Sequence, residues 1–114
     1  MSNVMRQSQS AVLERGVTLE QTHETEPFEV AWATEARWWI TFLKGSPSGR
    51  VRFQVQISPD GINWVDHESE PVEATTEGYV TIPVERFGFW LRLRTTRVSG
   101  DDELLLRIYL QLKE

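Results

Sequence analysis

Apolar and polar residues alternate along much of this 114-residue chain, and the alternation is clearest in residues 51–57. A period of two is typical of a strand that has one face in a hydrophobic core and the other in water. The segment therefore predicts a strand whose two faces differ in polarity. Its predicted core face consists of Val51, Phe53, Val55 and Ile57, and its predicted outer face of Arg52, Gln54 and Gln56.

Residues 58–61 predict a tight turn directly after this strand. Pro59 restricts φ, Asp60 can hydrogen-bond to its own backbone, and Gly61 tolerates a positive φ. The segment is therefore expected to form a β-hairpin. Its return strand is predicted to start with Ile62, Trp64 and His67, with the Trp64 ring in the core.

The same alternation recurs between breakers rich in glycine, proline and serine. Short strands with turns every 8 to 12 residues are typical of an antiparallel β-sandwich or jelly roll, here of about eight strands. Residues 1–10 have no periodicity and predict a polar N-terminal arm, which leaves 11–114 as one domain. The further core-facing positions are Val17, Leu19, Phe28, Val30, Trp32, Trp38, Ile40, Phe42, Val80, Ile82, Val84, Phe89, Leu91, Leu93, Thr95, Leu104, Leu106, Ile108, Leu110 and Leu112.

Composition excludes several classes of protein. The chain has no cysteine, which rules out a disulfide scaffold, a thiolate zinc site and a cysteine nucleophile. No apolar run approaches the roughly 20 residues of a membrane helix, and the N-terminus is too polar for a secretory signal. We therefore expect no membrane partner and no secretion by signal peptide. The absence of cysteine suits an intracellular protein or a virion protein.

The charge distribution bears on possible partners. The formal net charge of -5 argues against a nucleic-acid partner, which would be held mainly by phosphate contacts. Aspartate and glutamate are concentrated in the predicted loops, whereas many arginines lie in strand-like segments. Arginine on an exposed sheet face supplies solubility and discourages edge pairing, or else it meets an acidic partner.

The outward phase of the predicted strands combines tryptophan, tyrosine, arginine and glutamine. These residue types are common at interface hot spots, and exposed rings also suit carbohydrate binding. A third interpretation is that the arm or the 68–77 loop covers these aromatic rings. The predicted interface residues are Trp39, Arg52, Gln54, Gln56, Trp90, Arg92, Arg94, Arg107 and Tyr109.

Candidate catalytic residues do not form a recognisable pattern. The histidines, His23 and His67, have no partner at metal-ligand spacing, and the acids at 101–103 are typical of a solvated turn. No serine lies in a nucleophile-elbow pattern. We therefore expect that the chain is not an enzyme and holds no metal or cofactor.

The turn carries a resemblance to known families. Ser58, Asp60, Gly61 and Trp64 form the pattern S-x-D-G-x-x-W, which is similar to the hairpin of discoidin-type, galactose-binding-like sandwiches. With the preceding strand VRFQVQIS, it also resembles small β-sandwich structural proteins of tailed bacteriophages. Discoidin domains are usually longer, secreted and often disulfide-linked, so the resemblance favours the phage group.

This resemblance implies a non-enzymatic structural subunit of a phage-like particle, such as a capsid decoration (cementing) or tail-associated protein. Its partners would be protein subunits: a homo-oligomer, with a trimer favoured, and a shell or capsid protein. Residues 1–26 would thread onto a neighbour while the arginine and tryptophan positions make further contacts. One alternative is an accessory domain of a bacterial shell or enzyme complex. The other is a carbohydrate-binding module, in which Trp39, Trp90 and Tyr109 would stack on sugars and Arg92, Arg94 and Gln56 would hydrogen-bond to them.

Overall fold

The structure, a computed structural model, describes residues 8–114, except for the side chains of Val12 and Leu13. Strands, turns and loops make up this part of the chain, and it contains no helix that could span a membrane. The strands are β1 (Ser8–Leu19), β2 (Thr22–Glu24), β3 (Phe28–Glu29), β4 (Glu35–Lys44), β5 (Arg50–Ser58), β6 (Val65–Asp66), β7 (Val72–Thr75), β8 (Tyr79–Glu85), β9 (Trp90–Ser99) and β10 (Leu104–Lys113).

The strands form two antiparallel sheets, which confirms the predicted all-β sandwich. Sheet A has the order β1-β10-β4-β8. Sheet B has the order β2-β9-β5-β6, with β3 also paired to β9 and β7 also paired to β5. Sequence analysis predicts about eight strands, and the described residues contain ten. The two strands that it missed are β2 and β7, which have only three and four residues, and β7 lies within the predicted 68–77 loop.

The core lies between the inner faces of the two sheets. Trp38 and Ile40 of β4 are completely buried, and the Phe42 and Phe53 rings meet across the sheets with centroids 6.3 Å apart. The predicted inward face of β10 is fully buried along its whole length. Its members are Leu104, Leu106, Ile108, Leu110 and Leu112.

The predicted return strand of the hairpin is largely wrong. Residues 59–64 belong to the turn, and β6 contains only Val65 and Asp66. Side chains in this segment therefore do not alternate between a core face and an outer face. Ile62 is 78% exposed, and Trp64 is half-buried at the surface instead of in the core. His67 is buried. Phe89, also predicted to face the core, is exposed because it precedes β9.

The N-terminal segment is not a free arm as far as it is described. Ser8, Gln9 and Ser10 pair with β10 opposite Lys113, Leu112 and Gln111, so β1 extends three residues into the predicted arm. The proposed threading segment 1–26 contains β1 and β2, which belong to the chain's own sheets. Only residues 1–7 of that segment lie outside the described part of the chain.

The turn at residues 45–49 carries the chain from sheet A to sheet B, and Thr76 holds it in place. The buried Thr76 hydroxyl donates to the Ser46 carbonyl at 2.8 Å and accepts from the Ser46 N–H at 3.2 Å. The Thr76 N–H also donates to the Gly49 carbonyl at 3.1 Å. Three hydrogen bonds thus join this turn to the residue that follows β7.

Candidate binding surfaces on the two sheets

The predicted interface residues divide between two surfaces. Trp39, Arg107 and Tyr109 lie on β4 and β10 of sheet A. The other six lie on β5 and β9 of sheet B: Arg52, Gln54, Gln56, Trp90, Arg92 and Arg94. Because the two sheets pack face to face, their outer faces point in opposite directions. The nine residues therefore do not form one surface: Trp39 and Tyr109 lie on one side of the sandwich and Trp90 on the other.

The outer face of sheet B, which we term the arginine face, is organised around Glu24 on the neighbouring strand β2. The Arg92 guanidinium lies 3.0 Å from Glu24 Oε2. Arg94 donates to the same oxygen from Nε at 3.2 Å and from a terminal nitrogen at 3.0 Å. Two arginines thus share one carboxylate that the chain itself supplies.

Arg92 also links the centre of this face to the hairpin. Its Nε donates to Gln56 Oε1 at 2.8 Å, and Gln56 Nε2 donates to Asp66 Oδ1 at 2.9 Å. The Arg92 guanidinium lies 4.4 Å from the centroid of the Trp64 ring, a cation–π contact. These contacts explain why Gln56 is buried although it lies on the predicted outer face.

Arg52, near the other end of β5, is also paired within the chain. Its guanidinium donates to Glu73 Oε2 at 2.9 Å, and Arg50 lies 3.8 Å from the other oxygen of that carboxylate. Hydrogen bonding from Arg52 lowers the pKa of Glu73. An acidic partner of the arginine face would have to compete with Glu24 and Glu73.

The hairpin turn extends beyond the predicted residues 58–61, since β6 begins only at Val65, but Asp60 and Gly61 act in it as the sequence predicts. Gly61 has φ +77°, and a Cβ placed on it would meet the Trp90 ring at 3.3 Å. The Ser58 hydroxyl accepts from the Gly61 N–H at 2.8 Å and donates to Asp60 Oδ1 at 2.9 Å. Trp90 therefore packs on the turn, which accounts for its partial burial.

Asp60 is the hydrogen-bonding centre of this turn. Its Oδ1 accepts from the backbone N–H groups of Asn63 at 2.8 Å and Ile62 at 2.9 Å, and its Oδ2 accepts from the Asn63 side chain at 2.8 Å. These donors, the Asn63 N–H first, hold the pKa of Asp60 well below its usual range because they stabilise the ionised carboxylate. The D and G of the S-x-D-G-x-x-W pattern thus act in the turn itself.

We expect that the stabilising effect of Asp60 depends on pH. Because folding lowers the pKa of Asp60, its contribution is complete above the ordinary pKa of about 4 and is lost as pH falls below it. The urea midpoint of the wild type should therefore exceed that of Asp60→Asn at pH 7, and the difference should shrink between about pH 4 and pH 2. Asn63→Ala keeps both backbone donors and should show a smaller effect. A difference that is constant or grows on acidification would contradict this assignment.

Sheet A carries a groove that we term the aromatic groove, with a volume of about 300 Å³. Its rings are Trp39 on β4, Tyr109 on β10 and Tyr79 on β8, which are 41%, 39% and 79% exposed. Trp39 lies directly opposite Tyr109 in the register. The remaining lining residues are Ser10, Thr41 and Gln111.

Tyr79 is the member of this groove that sequence analysis missed. It precedes Val80, whose phase with Ile82 and Val84 places Tyr79 on the outer face of β8. Alternation therefore predicts that Tyr79 points outward. It does not predict that β8 lies next to β4, which is what brings Tyr79 into the groove. Arg107 lies opposite Thr41 and donates to the Arg15 carbonyl at 3.4 Å; it does not line the groove.

A second concave surface lies near the hairpin turn, and we term it the end patch. Ile57, Pro59, Val65, Phe87 and Phe89 line it together with Ser58 and Gly88, and its volume is about 300 Å³. Val65 and Phe89 are more than half exposed, whereas Phe87 is buried. Exposed apolar patches of this kind are typical of protein contact sites.

His67 has a structural role in the loop beside the end patch. The Ser69 N–H donates to Nδ1 at 3.1 Å, which makes that nitrogen an acceptor, and Nε2 lies 2.8 Å from the Glu85 carbonyl and donates to it. The ring therefore ties the loop after β6 to the end of β8. Residues 8–114 contain no group of three or more histidine and acidic side chains placed to hold a metal.

Comparisons with solved structures show the fold. The PBSX exported protein XepA is similar with a TM-score of 0.68 and 9% identity over 91% of this chain, which spans only 36% of that protein. The SPBc2 prophage-derived protein YomS is similar with a TM-score of 0.62 and 11% identity, over 100% of this chain and 99% of that one.

Comparison by sequence identifies a family. No curated protein matches the chain. The model of the family described as "Domain of unknown function (DUF6385)" matches residues 43–114, from the end of β4 through β10. That segment is more than half of the sequence and includes the arginine face of β5 and β9, the turn and the end patch. The chain therefore belongs to the DUF6385 family.

Proposed function

We propose that the protein is a non-enzymatic structural subunit of a phage-like particle, in the capsid or the tail, that binds a neighbouring protein subunit. The observation that supports this most directly is the fold shared with the prophage-derived YomS, which extends over essentially the full length of both chains. The likeness to XepA, a protein of the PBSX element, points the same way.

The end patch supports a protein partner. Val65 and Phe89 expose large apolar side chains in a groove that the buried Phe87 also lines. Burying such side chains against a partner removes apolar surface from water, which favours association. The arginine face is a weaker candidate because Glu24 and Glu73 already pair with its arginines. We therefore assign the partner contact to the end patch.

The test of this proposal is whether the protein co-sediments with phage-like particles. Phage-like particles from cells that produce the protein are separated on a density gradient, and the protein is detected by immunoblotting. We expect the wild type to co-sediment with the particles and the double variant Val65→Ser/Phe89→Ser to remain at the top of the gradient. Val98→Ser, which removes an exposed apolar side chain at the far end of β9, is the matched control and should co-sediment.

Native mass by light scattering provides the second measurement for this proposal. We expect the full chain to have the mass of a trimer or a larger assembly. Deletion of residues 1–26 is unsuitable as a test of the arm, since it removes β1 and β2; deletion of 1–7 leaves both strands intact. A monomer that never co-sediments with particles would overturn the proposal.

A further inference from the structure

The aromatic groove on sheet A combines features that the proposed particle contact does not use. Trp39, Tyr79 and Tyr109 come from three adjacent strands, β4, β8 and β10, on the outer face of the sheet. Neighbouring strands lie about 4.8 Å apart, so the three rings extend across about 10 Å. This width suits a short run of sugar rings better than a single small ligand.

The central ring of the groove is held in a defined orientation. The Trp39 indole N–H donates to Gln111 Oε1 at 3.2 Å, although the ring is 41% exposed. A side chain that is already oriented loses less conformational freedom when a ligand binds. The Trp39 ring is therefore a preorganised stacking surface.

The polar groups of the groove are neutral. Its six lining residues include no charged side chain, in a chain of which 25% of the residues are charged. The hydroxyls of Ser10, Thr41, Tyr79 and Tyr109 and the amide of Gln111 can donate and accept hydrogen bonds. A nucleic acid would instead require cationic side chains along its phosphates.

We propose that the aromatic groove binds a neutral oligosaccharide. A sugar ring has apolar C–H faces, which can stack on Trp39, Tyr79 and Tyr109, and a rim of hydroxyls that matches the neutral donors and acceptors between them. The groove lies on the opposite side of the sandwich from the arginine face. Sugar binding would thus be separate from that face.

The test uses the full chain on an array of neutral oligosaccharides, followed by calorimetric titration of the oligosaccharides that bind. We expect Trp39→Ala and Tyr79→Ala each to weaken binding by about tenfold or more, the range for loss of an aromatic hot spot. Trp90→Ala removes a partly exposed tryptophan from the opposite sheet and is the matched control. Its affinity should equal that of the wild type.

Three results would overturn the inference: no neutral oligosaccharide binds, binding is lost in Trp90→Ala but kept in Trp39→Ala, or a peptide competes for the same groove with higher affinity. Urea denaturation of Trp39→Ala and Tyr79→Ala establishes that each variant is folded. Particle binding is tested by variants of the end patch, so either proposal can fail while the other stands.

Discussion

Replacement of Trp38 by alanine is expected to lower the free energy of unfolding by about 3–5 kcal/mol, the usual range for deleting a fully buried tryptophan side chain. Trp38 is completely buried at the centre of β4, among the inward residues of β10 and β8. Alanine would leave a cavity that the surrounding strands cannot fill without breaking their register. Urea denaturation, with the slope compared between variants, measures this loss.

The neighbouring residue provides the matched control. Trp39 differs from Trp38 by one position in the same strand, but it lies on the outer face, and its N–H bonds to Gln111. Trp39→Ala should cost less than about 1.5 kcal/mol, since only a part-exposed ring and one exposed hydrogen bond are lost. Equal losses at the two positions would show that the phase of β4 is wrong.

A second variant at Trp38 separates packing from hydrogen bonding. Within residues 8–114, the buried Trp38 Nε1 has no hydrogen-bond partner. A buried donor without a partner is unfavourable, so Trp38→Phe removes a costly group while keeping most of the ring. We therefore expect Trp38→Phe to be clearly more stable than Trp38→Ala.

The second large effect is expected at Gly45, where alanine should destabilise the fold by about 1–3 kcal/mol or more. Gly45 is exposed, yet a Cβ on it would overlap the carbonyl oxygen of Thr76 and lie 2.9 Å from the carbonyl carbon. Backbone cannot rotate away as a side chain does. The turn would have to move, and the hydrogen bonds from Thr76 to Ser46 and Gly49 would be lost or stretched.

Gly16→Ala is the control for this prediction. A Cβ on Gly16 would meet Leu105 Cδ1 at 3.7 Å, an ordinary van der Waals contact. Alanine also restricts the unfolded chain, so the change should be neutral or slightly stabilising. Thermal unfolding of both variants measures the difference, and similar melting temperatures would contradict the role assigned to the 45–49 turn.

Alternation predicted most strand faces because each long strand has one face in the same core. Trp38 and Trp39 lie on opposite faces of β4 as alternation predicts, and the alternate positions from Leu104 to Leu112 share the buried face of β10. Alternation failed where a strand is short. Trp64 lies in a turn next to a two-residue strand, so its position depends on Arg92, which is distant in sequence.

The candidate site was only partly predictable for a different reason. Alternation identifies outward residues, but it does not reveal which strands share a sheet. Alternation predicts that Trp39 and Trp90 both point outward. They nevertheless lie on opposite sides of the molecule because β4 and β9 belong to different sheets. Tyr79 joins Trp39 for the same reason, since β8 pairs with β4. Pairing of the arginines with Glu24 and Glu73 likewise depends on sheet order.

The position of β10 has a consequence for how the chain folds. The tenth strand lies between β1 and β4, so sheet A lacks its centre until this strand is in place. Pairing residues as far apart as Ser8 and Lys113 requires closure of nearly the whole chain, and such non-local topologies fold slowly. On the ribosome, β1 would therefore stay unpaired until β10 emerges, and β4, which can already pair with β8, would keep its other edge open. During that interval the nascent protein would be most dependent on chaperones.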